Sequence, residues 1–276
     1  MARRFPPRDE SLSNSTLITG NLTLIMTHLA GIDVDADPRI TGEYLRQIPG
    51  GPGALTLVGV VHDHPASTYR TQRVIKELDP TVLALELPPI SIPLFEEYAA
   101  TERSPPVFGG EMSAAIQAAA PNTAVGIDRP TGGFFQRLGR ELLQERPPAE
   151  TVRNVLSNTL STTKHALLCR VAAILAARTS IRLEVDSPIA YDIDWTDSPE
   201  DQALDERKQV RRSRSFMNAF RTSNRSRASQ LEDAAREADM ATRLLALREQ
   251  EDVVAVVGIS HLDSLTERLN AGTNAV

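Results

Sequence analysis

The sequence predicts an α/β fold: a mostly parallel central sheet flanked by helices, with a long helical insertion before the last core strand. Three observations carry this. The runs LTLVGVV, TVLALEL and DVVAVVG have strand length and are almost wholly apolar. Strands apolar on both faces belong to buried parallel sheets. Helix-patterned segments separate the first runs, as in strand–helix–strand units. Between about residues 132 and 250 no run of comparable strength occurs, so that stretch reads as helical.

Residues 1–53 read as a partly ordered N-terminal arm. They are polar and irregular, and they end in the turn-rich PGGPG. The segment TLITGNLTLIM is the place where this arm can add an edge strand or hairpin. The domain proper is expected over 54–276.

LTLVGVV, ending at His62, is the first core strand. HPASTYRTQRVIKELDP follows as a helix, with Pro65 in its first turn and Asp79-Pro80 as its stop. TVLALEL at 81–87 is the second strand, ended by Pro88-Pro89. ISIPLFEEYAAT reads as helical. EMSAAIQAAA is an alanine-rich helix after Gly109-Gly110, with Glu111 in its first turn, where a carboxylate suits the helix dipole. TAVGID at 123–128 is the third strand.

In the insertion, GGFFQRLGRELLQE reads as a helix. PAETVRNVLSNTLSTTKHALLCRVAAILAA reads as a long helix or a bent pair. DSPIAYDIDWTDSPED is a loop, and Gln202–Gln250 reads as one or two long charged helices. DVVAVVG then returns to the sheet, with SLTERLN as a helical tail.

Two Gly-x-x-His tetrads stand out. Gly59 and His62 close the first strand, and Gly258 and His261 close the last. Parallel strands bring their carboxyl ends to one rim, where ligands bind in open α/β sheets. That rim collects His62, Glu86, Asp128 with Arg129, and His261. His62, Glu86 and His261 form a His₂Glu set that suits a divalent ion with a position left for water. Such water becomes a nucleophile near neutral pH. Arg129 suits an oxyanion or a carboxylate. Asp128 can orient a histidine or Arg129. Glu86 can also serve as a cap or ion-pair partner, and Asp128-Arg129 as a structural pair. His64, two residues after His62, is expected at the mouth of the site. Glu111 is either a helix-start acid or a substrate or metal group.

The 276-residue chain carries a net charge of −6, which argues against nucleic-acid binding. The basic run from Arg207 to Arg227 reads first as a solvated helix face. Lone Cys169 excludes an internal disulfide and reads as a buried, inert thiol. No secretory signal or spanning segment is apparent, so a soluble, cytoplasmic protein is expected.

Taken together, LTLVGVVH, VIKELDPTVLALEL, GGEMSAAIQAA, TAVGIDRP, READMATRLLAL and VVAVVGISHLDSL resemble the TraB/PrgY (pheromone shutdown) family. That family is related to the Tiki metalloproteases and, more distantly, to the erythromycin-esterase/ChaN-like proteins. The likeness covers about residues 54–265. It implies a metal-dependent hydrolase of the metallopeptidase kind, supported by manganese, cobalt or zinc and acting on a peptide or other small molecule. It marks His62, Glu86, Glu111, Asp128, Arg129, Arg236 and His261 as candidate site residues. Ala235 departs from the family pattern, which usually has a glutamate there. His64 stands where small hydroxyl residues are common. The other reading is an inactive peptide- or ion-binding regulatory protein of the same fold.

Overall fold

The computed structural model describes residues 28–29, 32–33, 36–120, 122–178, 191–221 and 227–273. A five-stranded sheet runs in the order β3-β4-β7-β5-β6. Its strands are β3 (Leu45–Ile48), β4 (Leu55–Val60), β5 (Val82–Leu85), β6 (Thr123–Gly126) and β7 (Val253–Gly258). The pairs β4–β7, β7–β5 and β5–β6 are parallel, and β3 lies antiparallel on β4. A separate two-stranded ribbon joins β1 (His28–Leu29) to β2 (Ile32–Asp33).

Eight α-helices accompany these strands among the described residues. They are α1 (Pro65–Leu78), α2 (Ile92–Ala99), α3 (Gly110–Ala119), α4 (Gly132–Glu145), α5 (Ala149–Arg178), α6 (Pro199–Arg221), α7 (Arg227–Arg248) and α8 (Ile259–Thr273). The mostly parallel α/β sheet with helices before its last strand is thus the fold the apolar runs foretold. Among the described residues the insertion holds four helices, with α5 a single helix rather than a pair.

The edge strand is the main surprise. TLITGNLTLIM lies outside the described residues. The strand that pairs with β4 is LRQI, which passes unnoticed because only Leu45 and Ile48 of its four residues are apolar. Both are buried, while Gln47 is exposed. Three apart on a strand, the two face opposite ways: Leu45 packs into one layer of the core and Ile48 into the other.

Every residue of β4, β5 and β7 is buried. One sheet face packs Val58, Val60, Leu83, Leu85 and Val256 against Val74 and Ile75 of α1 and Met112 of α3. The other packs Leu55, Leu57, Val253 and Val257 against Met240 and Leu244 of α7 and Leu262, Leu265 and Leu269 of α8. Strand alternation sends neighbouring residues to opposite layers. Cys169 is half-buried rather than fully buried.

The PGGPG turn has a packing reason. Arg248, at the end of α7 and 2% exposed, donates to the carbonyl oxygens of Ile48, Pro49 and Gly53. Gly51 has φ +79°, and a Cβ there would lie 2.7 Å from Arg248 Nε. The turn therefore closes over a buried guanidinium that only glycine admits.

β4 and β5 follow each other in sequence but flank β7 in space. The point where neighbouring strands lead to opposite layers opens a crevice at their carboxyl ends. His62 follows β4, Glu86 follows β5, and Gly258 ends β7.

Candidate functional site

Gly59 and Gly258 hold equivalent places in the two tetrads but do different things. A Cβ on Gly59 would meet Leu262 Cδ2 at 2.8 Å and the Tyr44 carbonyl at 3.3 Å, so this glycine lets α8 close on β4. A Cβ on Gly258 would stand 3.4 Å from both Glu86 Oε2 and His62 Nε2. The bare Cα of Gly258 thus leaves a gap that a carboxylate and an imidazole both border.

The two histidines also differ in charge. His62 presents Nδ1 to Glu111 Oε1 at 2.7 Å, and Glu111 Oε2 accepts the Asp63 backbone N–H at 2.9 Å. Asp63 turns the chain here with φ 59°. The bond to Glu111 raises the His62 pKa to about 9 against the opposing effect of burial. His62 is therefore an imidazolium at neutral pH, with Nε2–H facing the gap. Burial, followed by the nearby Glu111 charge, raises the pKa of Asp63.

His261 sits in the first turn of α8. Its Nε2 lies 2.9 Å from Arg236 Nη1, and its Nδ1 lies 3.1 Å from Glu237 Oε1. A guanidinium only donates, so Nε2 accepts, and the ring is neutral with its proton on Nδ1. Ser264 Oγ donates to the other Glu237 oxygen. His261 Nε2 and Glu86 Oε1, 3.6 Å apart, are thus both acceptors around Arg236 and do not form an ion pair.

Arg236, from the middle of α7, is the hub. Its Nε and Nη2 fork onto Asp128 at 2.5 and 2.6 Å, and Nη2 also reaches Glu86 Oε1 at 2.5 Å. Glu86 Oε2 accepts the Gly258 N–H at 2.6 Å. Burial opposes the charge, but Asp128 and Glu86 outweigh it and hold the guanidinium firmly protonated. The fork on Asp128 is the strong, geometry-specific form of such a pair.

Six of the expected residues converge in two linked groups: His62 with Glu111, and Glu86, Asp128, Arg236 and His261 around the guanidinium. Arg129 leaves them. It donates to Glu232 Oε2 at 2.6 Å, while Asn158 donates to Glu232 Oε1 at 3.1 Å. Its guanidinium carbon lies 5.5 Å from the Phe134 ring centre. Arg129 thus ties β6 to α5 and α7.

His64 is not at the mouth. It is fully buried, caps α1 by accepting the Ala66 N–H at 3.1 Å, and faces Asp205 through Nε2 at 3.3 Å. Burial lowers its pKa. Beside it, Arg70 forks onto Glu206 at 2.7 and 2.9 Å, with Ser67 donating to the same carboxylate. Both charged side chains are fully buried, and they fasten α6 to α1. Ala235 lies in a core cluster with Phe134, Leu138 and Val155. Position 235 therefore faces the core and not the rim.

Sequence reasoning missed Glu237, which sets the tautomer of His261, and Tyr191, which donates to the His62 carbonyl at 2.7 Å. Glu237 adjoins Arg236 in READM, and that adjacency was the available signal. Tyr191 lies in the insertion, far from any motif.

The metal expectation meets an obstacle. Arg236 stands between Glu86 and His261, taking the Nε2 lone pair of one and an oxygen of the other. An ion ~2.0–2.1 Å from nitrogen would have to displace a paired cation. Among the described residues no group of three or more His, Cys, Asp or Glu side chains is arranged to hold a metal ion. In this arrangement His62, Glu86 and His261 do not fit a shared manganese, cobalt or zinc.

No family model, curated protein or solved structure matches the chain.

Proposed function

We propose that the chain is a hydrolase of an acyl bond, with peptides as the leading substrate class. One observation carries the reading: Glu86 Oε2 and His62 Nε2 flank the same gap at Gly258, each 3.4 Å from the position a side chain would fill. An acceptor and a protonated donor that face one position can act as an acid–base pair.

Water in the gap gives its proton to Glu86 as it adds to the carbonyl carbon. His62 gives its Nε2 proton to the leaving nitrogen as the C–N bond breaks. Glu86 then returns its proton to His62. Glu111 holds the imidazole in place and keeps it charged. Arg236 fixes the Glu86 carboxylate, and His261, through its neutral Nε2, fixes Arg236. The resemblance to the TraB/PrgY and Tiki proteins supports the same reaction class. Their metal-assisted route would require Arg236 to withdraw from Glu86 and His261.

The test is hydrolysis of a defined peptide pool, followed by mass spectrometry. Wild type is compared with His62→Ala, Glu86→Gln and His261→Ala, each in chelator and with manganese, cobalt or zinc. Turnover in chelator that both His62→Ala and Glu86→Gln abolish is the expected result. Turnover only with added metal assigns the step to metal-activated water instead. Equal rates in all four proteins remove the site from the reaction.

The closed network around Arg236 favours one second reading, a peptide-binding protein without turnover, because a purely structural tie also satisfies every partner. Saturable peptide binding with no product supports it.

A further inference from the structure

The outer face of α5 is unexplained by the site. Large apolar residues of an amphipathic helix normally face the core. Here the inward positions are Val155, Thr159, Ala166, Ala172 and Ala173, mostly small and all buried. The larger residues point outward. Leu156 is 58% exposed, Leu160 57%, Leu167 59%, Leu168 66%, Val171 51% and Ile174 43%.

These residues form an ordered stripe. At about 100° per residue, Leu156, Leu160, Leu167, Val171 and Ile174 fall within an arc of roughly 60° and along about 27 Å of helix. Arg170 borders one side of the arc, and Arg153 and Lys164 border the other. All three are exposed, and no acid occurs between Thr151 and Arg178. Five large apolar side chains, each 43–59% exposed along one helix face, form the kind of contiguous apolar surface that marks an interaction site.

We propose that this face docks the protein on an anionic lipid surface. The helix lies in the plane of the headgroups, with the leucines at the acyl boundary. Arg153, Lys164 and Arg170 reach the phosphates beside them, as long basic side chains do at interfaces. The chemistry selects this occupant. A second copy would set base-only margins against base-only margins, and the one acid of α5, Glu150, lies at the start of the helix before the stripe begins. A single convex helix offers no groove for a peptide. No helix among the described residues is long and apolar enough to cross a membrane, so the contact is with a surface. The inference stands apart from the proposed hydrolysis.

The experiment is flotation of the full chain with vesicles of phosphatidylglycerol and phosphatidylcholine, against phosphatidylcholine alone. Partition at least 10-fold stronger into the anionic vesicles, weakening with salt, is expected. The double variant Leu160→Glu/Leu167→Glu changes only exposed positions, so circular dichroism should match wild type while partition falls at least 10-fold. Lys164→Glu/Arg170→Glu should lose the preference for anionic lipid. Failure to float with anionic vesicles, or equal flotation of wild type and both variants, overturns the proposal. So does a dimer, seen by light scattering, that Leu160→Glu/Leu167→Glu abolishes in a protein that ignores lipid.

Discussion

Replacing Glu111 by Gln tests the charge assigned to His62. Glu111 is 2% exposed and holds Nδ1 at 2.7 Å, which raises the imidazole pKa from 6.5 to about 9. A shift of that size corresponds to about 3 kcal/mol in a dry site. The His62 side chain is 52% exposed, and solvent screening reduces the contribution to about 1–2 kcal/mol. The folded pKa lies above the unfolded one. The stabilisation is therefore full below pH 6.5 and disappears as pH rises through about 9. Glu111→Gln should return His62 towards 6.5. It should also cost about 1–2 kcal/mol at pH 6 that is no longer seen at pH 9.5. NMR titration of the ring, assigned with His62→Gln, measures the first effect. Urea unfolding at the two pH values measures the second. A wild-type midpoint near 6.5, or a stability gap unchanged between pH 6 and 9.5, refutes the dyad.

Four further outcomes follow from the packing. Gly59→Ala should cost about 1–3 kcal/mol in urea unfolding, because its Cβ meets Leu262 and the Tyr44 carbonyl, while Gly258→Ala should be near neutral in stability yet lower turnover by closing the gap. Arg236→Met leaves Glu86 and Asp128 buried without their cation and should destabilise by about 3–5 kcal/mol, measured as a fall in urea midpoint. Burial raises the Glu206 pKa, but Arg70 outweighs it and the net shift is downward; its stabilisation is therefore present above 4.5 and lost as pH falls through the folded value, so acid unfolding of wild type should be steeper there than that of Glu206→Gln.

The fold was legible wherever apolar runs were continuous. β4, β5 and β7 are buried on both faces, so each residue of the run reports the same environment. β3 was not legible, because half of an edge strand looks like loop. The rim was legible as a list, since each member but Arg236 closes a strand or opens a helix; Arg236, in the middle of α7, was marked only by the family resemblance. Its wiring was not. The sequence places His62 and His261 in the same motif, yet one is charged by Glu111 and the other is held neutral between Arg236 and Glu237. Those partners lie 49, 25 and 24 positions away in the chain, and spacing says nothing about which carboxylate reaches which ring. Arg129 and His64 show the same limit. Each sits beside a rim residue but turns towards the insertion, where Glu232 and Asp205 satisfy it.

β7 is the last strand in chain order and the middle strand in space. β4 and β5 are joined by α1, but they share no ladder until β7 slides between them. During synthesis the two halves of the sheet therefore wait for residues beyond 250. His261 arrives with that same segment, and Arg236, on α7, only shortly before it. Chains that stop short of α7 thus carry His62 together with its partner Glu111, but Glu86 and Asp128 without Arg236. The keystone strand closes the sheet and, through the Gly258 N–H, supplies a hydrogen bond to Glu86 in the same step.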